Sequence, residues 1–242
     1  MKLKWCIKCV LPNSRPNLVF NTKGICNACE NHKTKKNINW SERKKQLKQI
    51  VKKAKTISGN NNYDCVVPVS GGKDSTWQII KCIQLGLKPL AVTWKTPART
   101  EIGSKNLINL ISQGVDHIDW QINPKIESQF MLKALKKYGS TAIPMHFSIF
   151  NIPIRIAVNL NIPYVIYGEN SAFEYGNSDK RDLGFELNHN WIKKYGVTQG
   201  TSIDSWIDNT MKKKDMLSYL PPNKVDLKKS NVKAIFLGHY LK

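Results

Sequence analysis

The chain has 242 residues, 41% of them hydrophobic, enough for one sizeable α/β domain with an appendage. No run approaches the ~18 apolar residues of a membrane span, and the opening MKLKWCIKC is not followed by the apolar stretch of a secretory signal. Membrane insertion is therefore not expected, and a cytoplasmic location is. A net charge of +21 attracts polyanions. Lysine and asparagine are abundant throughout, however, so the field suits a nucleotide, a nucleotide sugar or an acidic protein as well as RNA.

Two cysteine pairs come first. Cys6-x-x-Cys9 and Cys26-x-x-Cys29 are separated by 16 residues, within the spacing of about 15–20 that marks a zinc site. Each pair places two thiolates on one side of a tetrahedral ion, and four cysteines leave no open position, so the site reads as structural. Disulfides are the alternative, without an oxidising compartment to favour them. Pro12, Pro16 and the turn Asn21-Thr22-Lys23-Gly24 predict two strand-like arms, as in a zinc ribbon. Residues 1–38 form a small module that needs its metal to hold a core; His32, close behind, could compete as a ligand but reads as solvent-exposed.

A helix follows from Trp40, with Asn39 as a possible cap and Leu47, Ile50, Val51 and Ala54 on one face. It ends in the polar loop 58–62. Cys65–Val69 is a short apolar run rich in β-branched residues, which predicts a buried strand. Ser70-Gly71-Gly72-Lys73-Asp74-Ser75 comes next, and Trp77, Ile80 and Ile83 then recur at helical spacing up to Gly86. A strand, a glycine turn and a helix in that order make an anion site, because the amides of the turn and first helical turn point at one spot. This is not the Walker loop, which places four residues between its first glycine and Gly-Lys-Ser/Thr. The hexamer resembles the SGGxDS loop of the PP-loop ATP pyrophosphatases, which cleave ATP between its α- and β-phosphates and adenylate a substrate oxygen.

Strands are predicted at 88–94, 116–122, 164–167 and 232–237. Helices are predicted at about 101–113, from Asn123-Pro124, and over 144–160 with a kink or break at Pro153. Strands alternating with helices imply a parallel sheet, here the adenine-nucleotide domain of a PP-loop, HUP-like fold over residues 39–242. Ser70–Ser75, Thr93–Arg99 and Gly168–Asn170 should meet at the carboxyl ends of its strands. Residues 171–231 lose the alternation and read as a substrate- or partner-binding region.

In this reading, Gly71–Ser75 amides hold the β- and γ-phosphates, Lys73 neutralises charge, and Ser70 and Ser75 donate hydroxyls. Asp74 caps the helix or helps to hold Mg2+. Thr93 and Gly168 complete the ATP site, and Glu169 is a catalytic candidate beside Lys73 and Asp74. His117 and Trp120 read as structural. His146 suits a substrate contact or a surface position, and Arg155 suits a sugar carboxylate or a helix-surface acid.

Several short pieces then occur in order: the cysteine pairs, the SGGKDS loop, Thr100-Glu101-x-Gly103-x-x-Asn106-Leu107, and Gly114-Val115-Asp116-His117. Pro153-x-Arg155-x-Ala157, Ile162-Pro163, Gly168-Glu169-Asn170 and Glu174-Tyr175-Gly176 follow. Together they make the whole chain similar to the N-acetyl sugar amidotransferases of surface-polysaccharide and lipopolysaccharide biosynthesis. The resemblance implies that ATP adenylates the amide oxygen of an N-acetylated, nucleotide-activated or acidic sugar, and that ammonia then displaces AMP to leave an acetamidino group. It also implies a separate glutaminase subunit and a cyclase-like ammonia-channel subunit. Members of that family usually continue beyond a segment like Gly238-His239-Tyr240, so a truncated chain is expected. The rival is a PP-loop tRNA-thiolating enzyme, which needs cysteines to carry sulfur. Only Cys65 and Cys82 remain for that task, one in a buried strand and one in a helix. A zinc-ribbon adaptor with a vestigial loop is a third reading.

Overall fold

A computed structural model describes residues 2–15, 17–170, 191–192 and 196–241. The Glu174-Tyr175-Gly176 motif, Pro16 and much of the expected substrate-binding region lie outside the described residues.

Five parallel strands form one sheet: β1 (Cys65–Pro68), β2 (Pro89–Trp94), β3 (Asp116–Trp120), β4 (Tyr164–Tyr167) and β5 (Lys233–Phe236), in the order β3-β2-β1-β4-β5. The central strands are almost wholly apolar because they are covered on both faces. Val66, Val92, Val165 and Phe236 pack against α5 (Pro124–Tyr138) and α6 (Ala142–Asn159) on one side. Cys65, Val67, Ala91 and Ile166 pack against α2 (Trp40–Ser58), α3 (Lys73–Gln84) and α4 (Glu101–Ile111) on the other. The N-terminal segment with α1 (Asn27–Thr34) has a small core of its own, and α7 (Lys224–Ser230) precedes β5.

The chain runs outward from β1 to β2 and β3, then returns to place β4 on the other side of β1. That reversal opens a crevice at the carboxyl ends of β1 and β4. The loop 70–75 leaves β1 there, and Gly168-Glu169-Asn170 leaves β4 there.

The expected elements are present, with ends shifted by a residue or two, and several apolar side chains on their helices are exposed. On α3 the buried face is Ser75, Gln78, Ile79 and Cys82, while Trp77 and Ile83 are exposed. Ile102 on α4 and Leu132 and Leu135 on α5 are exposed too. Pro153 does not divide α6, which runs unbroken. A proline removes the N–H that would reach the carbonyl four residues back. Here the Tyr167 hydroxyl sits at 3.5 Å from that Ile149 carbonyl and donates to Phe150 O at 2.9 Å.

Candidate active site

The loop after β1 is held by its own hydroxyls. Ser70 N donates to Ser75 Oγ (3.3 Å), Ser75 Oγ donates to Gly72 O (3.1 Å), and Gly72 N donates to Ser70 Oγ (3.3 Å). The serines expected to contact phosphate therefore also fix the shape of the turn. Gly71 has φ +79°, and a Cβ there would stand 2.9 Å from Leu107 N and 3.3 Å from Gly103 O. Only glycine allows the loop to lean on the first turns of α4, at Gly103 and Leu107.

Gly72 is the N-cap of α3, and no side chain caps that helix, whereas Asn39, Thr100 and Asn123 cap α2, α4 and α5. The first amides of α3 thus remain available to an anion at the positive end of the helix dipole. Lys73 and Asp74 stand in that first turn with side chains 92% and 88% exposed, 3.7 Å apart. An ion pair so exposed contributes little to stability, so both groups are at liberty to engage a ligand.

Around the loop lies a cleft of about 1380 Å³. Of the sequence-derived candidates, Ser70, Asp74, Ser75, Thr93, Gly168 and Glu169 line it, together with Asn170 and His146. Lys73 belongs to the same loop without being part of the wall. Thr93 is buried, its Oγ1 2.8 Å from His117 Nε2. Gly168 permits two close approaches: its own Cβ would collide with Gln78 Nε2, and its carbonyl accepts from Gly238 N at 2.8 Å. Asn170 is buried and accepts from Trp191 Nε1 at 3.3 Å. His146 Nδ1 is 2.8 Å from Ala142 O and must be the donor, since a carbonyl only accepts. Burial lowers the His146 pKa, which favours the neutral ring with Nε2 as a bare acceptor.

Three arginines line the cleft, in different states. Arg99 forms a bidentate pair with Asp119 (2.7 and 2.6 Å), and hydrogen bonds from Arg99 hold the Asp119 carboxyl below its usual range. Arg15 comes from the cysteine-bearing segment. Arg43, on α2, donates to His239 O at 2.8 Å and sits over the Trp40 ring. In the sequence Arg43 looks like one of many basic residues on a solvent-facing helix surface, so nothing local singles it out. Trp77 was missed for the opposite reason: it fits a core pattern yet is exposed and lines the cleft. Arg155 takes neither role considered for it. It donates to Leu220 O (2.7 Å) and Pro221 O (3.4 Å), and it does not line the cleft.

The cysteine pairs do come together. The Sγ atoms of Cys6, Cys9, Cys26 and Cys29 all lie within 4.8 Å of one another, with Cys6–Cys29 at 4.0 Å and Cys9–Cys26 at 3.5 Å. Sulfurs about 2.3 Å from a tetrahedral zinc would be about 3.8 Å apart, so the cluster has the size for that ion. All four thiols are free, with the Sγ atoms of Cys6 and Cys29 at 4.0 Å and of Cys9 and Cys26 at 3.5 Å, beyond the ~2.0 Å of a disulfide. Backbone amides of Lys8, Cys26 and Cys29 donate to the sulfurs at 3.3–3.4 Å. Burial pushes the Cys6 thiol up, but amide donors outweigh it and bring it down to about 6. Burial and the neighbouring thiols raise Cys29 to about 12. A second thiolate beside the first needs a cation. The arms are less regular than a ribbon predicts: among the described residues only the bridges Trp5–Pro12 and Phe20–Cys26 form, and the second pair sits at the start of α1 with Cys26 as its cap.

Comparison with known proteins gives limited help. No family model matches the chain, and no curated protein matches it. Among solved structures, it is similar to an NH3-dependent NAD synthetase from Campylobacter jejuni at 17% identity and TM-score 0.40, covering 80% of this chain and 93% of that one. An NMN synthetase from Francisella tularensis matches at 15% and 0.38, covering 81% and 82%. A predicted subunit of a tRNA methyltransferase from Methanocaldococcus jannaschii also matches at 15% and 0.38, covering 72% and 68%. Likenesses this distant carry no argument about activity. No helix among the described residues is long and apolar enough to cross a membrane.

Proposed function

We propose that the chain is an ATP-dependent amidotransferase that converts the acetamido group of an N-acetylated nucleotide-linked or acidic sugar into an acetamidino group, as the sequence resemblance implies. The observation that carries this reading is the meeting of the uncapped 70–75 loop with Gly168-Glu169-Asn170 in one cleft at the reversal of strand order. The substrate amide oxygen attacks the α-phosphorus of ATP and pyrophosphate leaves. Ammonia then attacks the imidate carbon, AMP departs, and one proton is released. The amides of the loop and Lys73 hold the phosphate charge, positioning and charge stabilisation being the protein's main contributions to such a displacement. Asp74, exposed beside those amides, and Glu169 are the carboxylates that would hold Mg2+. The ion would neutralise the leaving pyrophosphate. The neutral His146, with Nε2 a bare acceptor, is a cleft group able to accept a proton from the attacking ammonia. Zinc would belong to the four cysteines, and ammonia would come from separate glutaminase and channel subunits.

Full burial of Cys65 and Cys82, side by side in the core, speaks against their carrying sulfur to RNA. The deciding experiment supplies ATP, ammonium and a panel of nucleotide-linked diacetamido sugars and follows AMP. Release that requires both sugar and ammonium, and persists in Cys65→Ser and Cys82→Ala proteins that fold, is expected. ADP as the product, or thiolated nucleoside when tRNA and sulfide replace sugar and ammonium, would overturn the proposal.

A further inference from the structure

Arg43 is partly buried in the wall of the cleft, and no carboxylate among the described residues pairs with it; it meets the His239 carbonyl, the Trp40 ring and, electrostatically, Tyr240. A guanidinium withdrawn from water without an acid is costly unless an anion arrives to meet it. Its effect is felt locally: burial, and after it the charge of Arg43, lowers His239 to about 4. The position is fixed from two sides. Arg43 holds His239 O, and the neighbouring Gly238 N holds Gly168 O at 2.8 Å. Arg43 therefore reaches the cleft at the end of β5. Since β4 lies between β1 and β5, that point is two strand spacings, roughly 10 Å, from the loop that follows β1.

We infer that Arg43 forms a second anion subsite in the cleft, separate from the 70–75 loop, which receives the acidic group of the acceptor, a phosphate or a carboxylate. This rests on the ATP-dependent reading above and extends it. Arg15, on the cleft wall, comes from the cysteine-bearing segment. The planar fork of Arg43, anchored through one nitrogen, leaves its other N–H groups for paired oxygens.

The test is calorimetric. Protein saturated with α,β-methylene-ATP and Mg2+ should still take up one equivalent of inorganic pyrophosphate. Arg43→Gln, which keeps a donor for His239 O but not the charge, should weaken that uptake at least tenfold while the affinity for the analogue stays within twofold. Arg43→Lys should recover part of it. Parallel titrations with UDP and with N-acetylneuraminate distinguish a phosphate from a carboxylate as the natural group. In the unaltered protein, phenylglyoxal labelling of Arg43, read by mass spectrometry, should fall severalfold on adding pyrophosphate. No second equivalent, equal labelling, or loss of analogue affinity in Arg43→Gln would overturn the subsite. Failure of the analogue to bind would instead count against the ATP reading, while labelling with pyrophosphate alone would still decide the role of Arg43.

Discussion

The cysteine cluster and the 70–75 loop are both candidate ligand sites built from short, hydrogen-bonded turns, yet their own support differs. The loop is shaped by its own serines and braced by α4, with a five-stranded sheet behind it. The cysteine segment has a core of four buried residues, two of them the candidate ligands Cys6 and Cys26. On the proposed reading, one site precedes its ligand and the other is completed by it.

Metal removal should break the contrast most visibly. Structural zinc contributes on the order of 10 kcal/mol or more to folding its site. Elemental analysis of protein purified without added metal should therefore find one zinc per chain. Chelation, or Cys6→Ser, should abolish hydrogen-exchange protection over residues 2–34 while the sheet keeps its cooperative melt. An iron–sulfur absorbance band in place of zinc would refute this.

At the loop, Lys73→Ala or Asp74→Ala should slow AMP formation about a hundredfold, roughly 3 kcal/mol at the transition state. Because both side chains are exposed, the melting temperature should not move. A fall in stability matching the fall in rate would show that the loop is not self-supporting after all. Gly71→Ala should do the reverse and destabilise the fold by about 2 kcal/mol, since it adds a Cβ at positive φ against the backbone of α4. Denaturant unfolding measures it.

The smallest effect concerns pH. Arg99 lowers the Asp119 pKa through hydrogen bonds. The resulting stabilisation is complete above the ordinary carboxylate value of about 4 and is lost as pH falls through the lowered one. Both side chains are partly exposed, so Arg99→Ala should cost about 1 kcal/mol or less at pH 7. The difference from the parent protein should vanish in acid unfolding curves well below pH 4.

The sheet was legible in the sequence because each central strand is buried on both faces and reads as a continuous apolar run. Cysteine spacing likewise announced the cluster, and the hexamer its turn. What could not be read was which helix face would be covered. On α3 the buried set includes Ser75 and Gln78, polar residues occupied by the loop and by Gly168, so the apolar count favoured the wrong side. Arg43 escaped for a related reason. Its significance comes from a carbonyl 196 positions away in sequence, and no local pattern records such a partner. Pro153 suggested a break, yet a tyrosine on a neighbouring strand supplies a hydroxyl to the turn that the proline disturbs.

The strand order also has a consequence for synthesis. A chain emerging from the ribosome presents its cysteine segment before β1 and the 70–75 loop. Local elements of this kind can form early. The cleft wall, however, includes Phe236, Gly238 and His239, held by Gly238 to Gly168 and by Arg43 to His239. A nascent chain that already carries the whole loop therefore lacks one side of the cleft until β5 has been translated. Closing it must await the longest-range contacts, whose loop-closure entropy makes them slow to form. Under the proposed function, the 70–75 loop stands without that wall until β5 has been made, a kinetic guard against premature nucleotide binding that comes from topology alone.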